Sequence, residues 1–395
     1  MSPVSASSPS SAHDPAAPLR VAIVTESFLP QVNGVTNSVC RIAEHLAARD
    51  HRALVLAPGA GPSSYAGFPV VRLPGVPLPG YREFALGLPA RRLVTAALRA
   101  FEPDVVHLAS PVLLGQAAVE AARRWALPTV AVYQTDLPGF AGRYGIPGGD
   151  ALWPFLRRLH AAVDRTLVPS SATLQTLADH GLPRLSLWQR GVDGERFHPR
   201  HRDEGLRQSL ARNGEAIVGF VGRLARDKRV DLLAHVARLR GVRVVIVGDG
   251  PDRARLRRRI PGAEFLGQRT GEELSRIYAS LDVFVHTGAD ETFCQAVQEA
   301  LASGVPVVAP ASGGPLDLVF PEHNGLLYTP DSARELRVAA GRLIHNAALR
   351  ARMAAAARET VEGRGWEVIG DQLIGHYRSV IAPSHALVPH ARPRA

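Results

Sequence analysis

Two glutamates lie eight positions apart in the segment that follows an apolar strand and continues into a helix. Glu291 falls in the loop after the apolar run at 281–286, and Glu299 falls on the helix that follows. A carboxylate in such a loop is placed to accept hydrogen bonds from sugar hydroxyls, and one further along the helix is placed to reach a ribose. The spacing therefore predicts a sugar-nucleotide site, although two solvated surface glutamates would give the same pattern.

The start of this helix is a natural place for a phosphate. Apolar residues recur at helical spacing after Thr292, and Gly304 ends the pattern before the next strand. The unpaired amides at a helix start carry about half a positive charge and favour anions. The predicted donor-binding residues at this turn are Thr292, Phe293, Cys294 and Gln295.

A cationic pair follows another strand in the same half of the chain. The strand at 217–222 ends at a glycine, and Arg223 and Lys228 come directly after it. Because both lie where a strand gives way to a helix, they are placed to converge on a diphosphate. The alternative is that they form surface ion pairs with Asp227 or Asp231.

No metal or other cofactor is predicted. The sequence has no Asp-x-Asp triplet to hold a divalent ion against a nucleotide diphosphate, and no Cys/His spacing typical of zinc. Fixed cations therefore have to stabilise the leaving group. Only two cysteines, Cys40 and Cys294, occur in 395 residues, which fits a reducing cytoplasm rather than a disulfide framework.

The net charge of +10 predicts an anionic partner. Nucleic acid is disfavoured because the chain has no zinc-finger or ribonucleoprotein-type pattern and only 6% aromatic residues. An anionic membrane surface is a second candidate partner, because an amphipathic stretch around Leu93 carries Arg91, Arg92 and Arg99 alongside its apolar face. The pattern favours a core helix with a solvated basic edge over a membrane-surface helix, because most amphipathic helices face a protein core. The predicted location is therefore the cytoplasm, with the inner face of the membrane left open.

Strand-like and helix-like segments alternate in two similar halves, which predicts an α/β fold of two doubly wound, Rossmann-like domains facing each other across a cleft. No run is long enough for a membrane span, and the start of the chain lacks a signal peptide. The predicted divisions are a disordered arm at 1–18, an acceptor domain at 19–190, a linker at 191–200, a nucleotide-sugar domain at 201–365, a helix at 366–382 and a loose tail at 383–395.

The loop after the first strand separates this chain from dehydrogenases. It lacks the G-x-G-x-x-G turn through which a backbone approaches a nicotinamide cofactor. Asn33 and Gly34 instead form a loop before a helix that is predicted to begin at Val35. The glycine permits close approach to a donor, although a simple loop glycine would look the same.

Taken together, these motifs closely resemble retaining glycosyltransferases of family four, which have the GT-B fold. The resemblance covers nearly everything between Arg20 and Ile381 and rests on the order of FLPQVNGV, RGVDGERFHP, VGRLARDK, VVIVGDGP and the stretch with the two glutamates. It implies that Gly34 approaches the donor phosphate, Arg223 and Lys228 hold the diphosphate, Glu291 contacts the transferred sugar and Glu299 binds the ribose. It also implies that the helix from Trp366 crosses back to the N-terminal domain.

Within the family, VYQTDLPGF, RGVD and ASGGPLDLV look most like actinobacterial GDP-mannose-dependent mannosyltransferases with lipid-linked acceptors. Two positions depart from the family pattern. Gln134 stands where many relatives have histidine, and Arg190 stands where asparagine is common. Since glutamine cannot titrate, Gln134 is expected to orient a sugar hydroxyl, which leaves Asp136 as the acceptor-side contact or proton acceptor.

The resemblance therefore implies transfer of a hexose, mannose from GDP-mannose, to a hydroxyl of a glycoside or glycolipid with retention of the α configuration and without a metal. No covalent nucleophile is evident from the spacing. The alternatives left open are a UDP-sugar-dependent transferase of the same fold and a sugar-nucleotide epimerase or hydrolase.

Overall fold

Strand β1 (Arg20–Thr25) is central to an eight-stranded sheet. The computed structural model describes residues 17–31, 33–78, 81–139 and 149–385; most of the predicted arm (1–18) and tail (383–395) lies outside these ranges. With strands numbered along the chain, the sheet order is β10-β9-β8-β7-β1-β2-β4-β3, and β1 pairs in parallel with both β2 and β7. The other strands of this half are β2 (Arg52–Pro58), β3 (Ser64–Tyr65), β4 (Phe68–Leu73), β5 (Gly75–Leu78), β6 (Tyr81–Gly87), β7 (Val105–Ala109), β8 (Thr129–Val132), β9 (Arg165–Val168) and β10 (Leu185–Leu187).

Helices alternate with these strands, as the sequence pattern predicts. They are α1 (Gly34–Ala48), α2 (Arg91–Phe101), α3 (Leu113–Arg124), α4 (Leu152–His160) and α5 (Ser171–Asp179). Strands β5 and β6 pair antiparallel as a separate two-stranded sheet. That pairing places residues 81–87 in a strand directly before helix α2.

The second half contains a six-stranded sheet in the order β13-β12-β11-β14-β15-β16. Its pairings are all parallel. The strands are β11 (Ala216–Val221), β12 (Val242–Val247), β13 (Glu264–Gly267), β14 (Val283–Val285), β15 (Val307–Pro310) and β16 (Gly325–Tyr328). The helices are α6 (Glu204–Leu210), α7 (Leu233–Val236), α8 (Arg253–Arg259), α9 (Gly271–Ala279), α10 (Gln295–Ala302), α11 (Ala333–His345), α12 (Ala347–Glu359) and α13 (Trp366–His385).

The six-stranded sheet is buried on both faces, which explains its continuous apolar strands. Successive residues of β14 enter different core clusters: Val283 joins one with Val218, and Phe284 joins the other with Ile217. A parallel sheet covered on both faces needs apolar side chains at every position, so the run at 281–286 shows no alternation. Each such side chain contributes about 1.5–3 kcal/mol when fully buried.

The chain divides into two compact units. The first comprises Met1–Val132, Leu159–Thr166 and Gly370–Ala395, and the second comprises Tyr133–Arg158 and Leu167–Ile369. The boundaries predicted from the sequence stay predictions. Among the described residues, none of the helices combines the length and the apolar character that crossing a bilayer demands.

The end of helix α13 packs within the first unit. Asp371 accepts hydrogen bonds from Arg49 at 2.7 and 2.9 Å, and it lies 2.9 Å from the Nε2 atom of His45. Further along, the hydroxyl of Tyr377 forms a 2.9 Å hydrogen bond with Nδ1 of His107 on β7, and both side chains are fully buried. These contacts tie the C-terminal helix to the elements at the start of the chain.

Candidate active site

The loops after strands β11 and β14 emerge side by side. Strand β14 lies between β11 and β15 and is parallel to both, so the carboxyl ends of the three strands share one edge of the sheet. Ligands of open α/β sheets bind at this edge. The hydroxyl of Thr287 donates a 2.6 Å hydrogen bond to the carbonyl oxygen of Lys228, which joins the two loops.

Lys228 and Glu291 form an ion pair between these loops. The Nζ atom of Lys228 donates a 2.6 Å hydrogen bond to Oε1 of Glu291 and lies 3.6 Å from Oδ2 of Asp227. Arg223 lies on the same loop as Lys228 and donates a 3.0 Å hydrogen bond to Oδ1 of Asp227. The structure thus brings Lys228 into contact with Glu291. Arg223 forms the ion pair with Asp227 that the sequence analysis gave as the alternative to diphosphate binding.

The ion pair and its neighbours stay charged despite burial. Burial raises the pKa of Glu291, but Lys228 and His286 outweigh this effect and hold that pKa well below its ordinary value. Burial lowers the pKa of Lys228, yet Glu291 and Asp227 raise it overall. Burial also lowers the pKa of His286, but Cys294 and Glu291 raise it to about 10. Two cations therefore flank the carboxylate of Glu291 at neutral pH.

Hydrogen bonds from three other segments fix the loop that carries Glu291. The amide of Gly314 donates to the carbonyl oxygen of Glu291 at 2.7 Å. The hydroxyl of Thr173 donates to the carbonyl oxygen of Thr292 at 3.3 Å, and the hydroxyl of Thr292 donates to the carbonyl oxygen of Gln134 at 3.2 Å. The position of the carboxylate is therefore set by the surrounding backbone.

Helix α10 begins at Gln295, directly after a sharp turn. Cys294, at the position preceding the helix, has a left-handed φ of 80°, and both Phe293 and Cys294 are buried. No side chain of the described residues caps this helix start. The first turn therefore lacks a side-chain acceptor, which leaves its dipole available to an anion, while the side-chain amide of Gln295 donates to the carbonyl oxygen of Gly191 at 3.0 Å.

Gln134 and Arg190 contact each other beside this loop. The guanidinium of Arg190 donates to Oε1 of Gln134, and among the residues that the structure describes the amide nitrogen of Gln134 makes no hydrogen bond. Burial lowers the pKa of Arg190 to about 10, while the charge of Glu291 acts in the opposite direction. The amide nitrogen of Gln134 is therefore the atom that remains available to a ligand. The predicted contact between Gln134 and a sugar hydroxyl stays a prediction.

Asp136 and Glu291 line one small cavity of about 170 Å³. Thr173, Thr292 and Gly313 also contribute to its wall. The Oδ1 atom of Asp136 accepts a hydrogen bond from the amide of Gly139 at 3.0 Å, which orients the carboxylate. The structure thus brings together the two carboxylates that the sequence analysis placed on the acceptor side and on the donor side.

Glu299 lies away from that cavity. It is one turn further along α10, near Tyr278 and Arg196. Burial raises the pKa of Glu299 to about 7, although the hydroxyl of Tyr278 and the charge of Arg196 oppose the shift. The predicted ribose contact of Glu299 stays a prediction.

Asn33 and Gly34 belong to the first compact unit, whereas the residues above belong to the second. The side-chain oxygen of Asn33 accepts hydrogen bonds from the amides of Val35 and Thr36, each at 3.0 Å. Asn33 is therefore the N-cap of helix α1. Gly34 is the first residue of that helix rather than a loop residue, so the predicted start at Val35 was one residue late.

Sequence reasoning missed two contributions to the site. Arg190 was noticed as a departure, but its contact with Gln134 joins residues 56 positions apart and cannot be read from spacing. His286 was overlooked at the end of the apolar strand. Its ring lies close to Glu291 and Cys294, with ligand atoms within 4.8 Å of one another, although the sequence shows no Cys/His spacing typical of zinc.

Comparisons with known proteins cover nearly the whole chain. Residues 32–196 match the family model for Glycosyltransferase Family 4, and residues 201–360 match Glycosyl transferases group 1. A GDP-mannose-dependent alpha-mannosyltransferase of Mycobacterium tuberculosis is 53% identical over 370 residues, which are 92% of this chain and 97% of that protein. A protein of the same name from Corynebacterium glutamicum is 48% identical over 94% of this chain and 91% of its own length.

A solved structure supports the fold independently. Sucrose-phosphate synthase from Thermosynechococcus elongatus superposes with a TM-score of 0.77 at 21% identity, over 92% of this chain and 100% of that one. This likeness confirms the prediction of two Rossmann-like α/β domains of the GT-B type. With both family models matched in order, the chain belongs to glycosyltransferase family 4.

Proposed function

We propose that this protein transfers mannose from GDP-mannose to a hydroxyl of a lipid-linked or glycoside acceptor, with retention of the α configuration. The observation that carries the proposal is the Lys228–Glu291 ion pair at the carboxyl edge of the second sheet. It lies in a chain that is about half identical to GDP-mannose-dependent mannosyltransferases over most of its length.

In this proposal the donor diphosphate binds next to Lys228. Arg223 lies on the same loop, and the amides at the start of α10 lie on the neighbouring loop. A guanidinium, an ammonium and a helix start together stabilise the negative charge that grows on the diphosphate as it leaves. These groups do the work that a divalent ion does elsewhere, so transfer is proposed to need no metal.

The mannose of the donor lies against Glu291. Its ionised carboxylate accepts hydrogen bonds from sugar hydroxyls, and Lys228 and His286 keep it ionised. Asp136 lines the same cavity and is proposed to contact the acceptor hydroxyl. Asn33 and Gly34 are proposed to approach the donor phosphates, and Glu299 the ribose.

Retention follows if the leaving group and the acceptor use the same face of the sugar. The bond between the anomeric carbon and the diphosphate oxygen breaks, and a bond from the acceptor oxygen to that carbon forms. The proton of the acceptor hydroxyl passes to an oxygen of the released diphosphate. The chain then contributes positioning and electrostatic stabilisation rather than a covalent intermediate.

A peripheral position on an anionic membrane at the cytoplasmic face is proposed for helix α2. Val94 and Leu98 are buried in the domain, whereas Leu93 is 50% exposed and Arg92 and Arg99 are also exposed. An exposed leucine flanked by arginines suits an anionic lipid surface. Sedimentation with anionic and with neutral vesicles tests this, and equal recovery from Leu93→Ser and the parent protein would reject it.

A donor screen tests the catalytic proposal. Only a nucleotide that binds the folded protein raises its melting temperature, so GDP-mannose is expected to do so and UDP-glucose is not. Transfer should continue in excess EDTA. A stronger shift with UDP-glucose would favour the UDP-sugar alternative, and rapid consumption of GDP-mannose without an acceptor would favour an epimerase or hydrolase.

A further inference from the structure

His286, Glu291 and Cys294 form a compact set of potential metal ligands. One ligand atom from each residue lies within 4.8 Å of the other two. His286 and Cys294 are buried, at 3% and 5% exposure, while Glu291 lines the cavity beside them. A thiol, an imidazole and a carboxylate are the donor types that zinc prefers, and three protein ligands leave one position for water.

The separation of His286 and Glu291 fits a shared metal better than a hydrogen bond. Nε2 of His286 lies 3.4 Å from Oε1 of Glu291. Zinc bonds of about 2.0–2.2 Å at a tetrahedral angle place a bound nitrogen and a bound oxygen about 3.4 Å apart. A direct hydrogen bond between these atoms would be shorter, at about 2.7–2.9 Å.

The buried ring of His286 has a charged neighbour in Glu291 but no hydrogen-bond partner in the described part of the chain. Neither of its nitrogens makes a hydrogen bond with any of the residues that the structure describes. The ring lies nearly parallel to that of Phe220, with the ring centroids 6.3 Å apart and an interplanar angle of 10°. Buried polar groups normally have partners, so a ring with two unbonded nitrogens beside a thiol and a carboxylate points to a ligand.

We propose that His286, Glu291 and Cys294 bind a zinc-class divalent cation, and that the bound cation inhibits the enzyme. The cation is not a cofactor in this proposal. The cation binds the carboxylate of Glu291, which is proposed to contact the donor sugar. The cation and the donor therefore compete for Glu291. The inhibitory part rests on the proposed function, whereas the binding part does not.

Lys228 competes with the cation for Glu291. Its ammonium lies 2.6 Å from Oε1 of Glu291, and Oδ2 of Asp227, 3.6 Å away, offers it an alternative partner. Lys228→Met removes one competitor and is expected to bind the cation several-fold more tightly.

Cobalt titration tests the binding directly. Co²⁺ takes the same ligands as Zn²⁺ and gives a thiolate-to-cobalt charge-transfer band when cysteine coordinates it. The full chain is expected to develop this band with one equivalent of Co²⁺. Cys294→Gly should lose it, and glycine suits the left-handed φ of 80° at this position, so that variant is expected to fold. Cys40→Ser, which changes the buried cysteine of α1, should retain the band.

Two results overturn the site: no charge-transfer band in the parent protein, or an undiminished band in Cys294→Gly. The inhibitory part is tested by adding GDP-mannose to the cobalt complex, which should bleach the band, and by Zn²⁺ inhibition that excess GDP-mannose relieves. Inhibition that GDP-mannose leaves unchanged would overturn it. A protein that binds cobalt but transfers no mannose would reject the proposed function and leave the metal site standing.

Discussion

The guanidinium of Arg190 donates a hydrogen bond to the side-chain oxygen of Gln134. In the sequence analysis these two positions stood out as departures from the pattern of the family that the chain resembles, and the structure brings them into contact. A histidine at 134 would place a titratable nitrogen against a buried guanidinium, and two cations in contact are unfavourable. Glutamine offers a neutral oxygen instead, which suits a buried guanidinium.

Gln134→His is therefore expected to reduce the melting temperature, with a larger loss at pH 6 than at pH 8 because the imidazole gains charge as the pH falls. Arg190→Asn in the same chain should restore much of that loss. The double-mutant cycle is measured by thermal denaturation at both pH values, and a coupling energy of at least about 1 kcal/mol is expected for residues in contact. Additive effects would mean that the two side chains do not depend on each other.

Arg223→Ala is expected to lower kcat/KM by about 10²–10³-fold, because one charge-stabilising donor at the leaving group is lost. Arg223 is part-exposed, and Lys228 stays near Asp227 when the guanidinium is removed, so the melting temperature should fall by only a few degrees. Arg226→Ala is the matched control. It removes the same charge from an exposed position three residues along the loop and should leave turnover nearly unchanged. Equal losses of kcat/KM in the two variants would show that the net charge of the loop matters rather than a direct contact of Arg223 with the diphosphate.

The sequence predicted the elements of the second sheet better than the contacts between its loops. Strands β11, β12, β14 and β15 are continuous apolar runs because both faces of the sheet are buried. These strands can therefore be predicted from the local composition. The sequence placed Lys228 and Glu291 in one site but did not predict their direct contact. That contact depends on β11 and β14 being neighbours in the sheet, which a local sequence pattern does not reveal. The Gln134–Arg190 contact and the position of His286 depend on how loops far apart in the sequence meet. The spacing of residues within one segment cannot predict such contacts.

Gly314→Ala is expected to disturb the loop of Glu291. The amide of Gly314 bonds to the carbonyl of Glu291, and a Cβ at 314 would overlap the carbonyl of Phe293. Overpacking of this kind costs about 1–3 kcal/mol, and displacement of the loop should also raise the KM for the donor. Gly194→Ala is the control, because its Cβ meets nothing within 4 Å. Unchanged donor KM in Gly314→Ala would show that the loop is not held by this contact.

Glu26 is expected to matter for folding of the first unit. Its buried Oε1 accepts hydrogen bonds from the amides of Val112, Leu114 and Gly115 at 2.8–3.0 Å, at the start of α3. Glu26→Ala leaves these donors without their acceptor, so the free energy of unfolding in urea should fall by about 3 kcal/mol or more. Glu26→Gln keeps an oxygen acceptor and should cost less. Equal costs for the two variants would mean that water replaces the carboxylate.

Glu299 should make stability fall with rising pH. Because burial raises its folded pKa from 4.5 to about 7, the folded protein holds a proton that the unfolded chain has released between these values. The contribution is therefore complete below pH 4.5 and is lost as the pH rises through 7, at no more than about 1.4 kcal/mol per pH unit. Glu299→Gln should flatten the dependence of the unfolding free energy between pH 5 and 8, measured by urea denaturation. Glu322→Gln is the control, since Arg342 keeps the pKa of Glu322 below its ordinary value and its charge constant across this range. An unchanged slope in Glu299→Gln would show that this carboxyl is not the group that titrates.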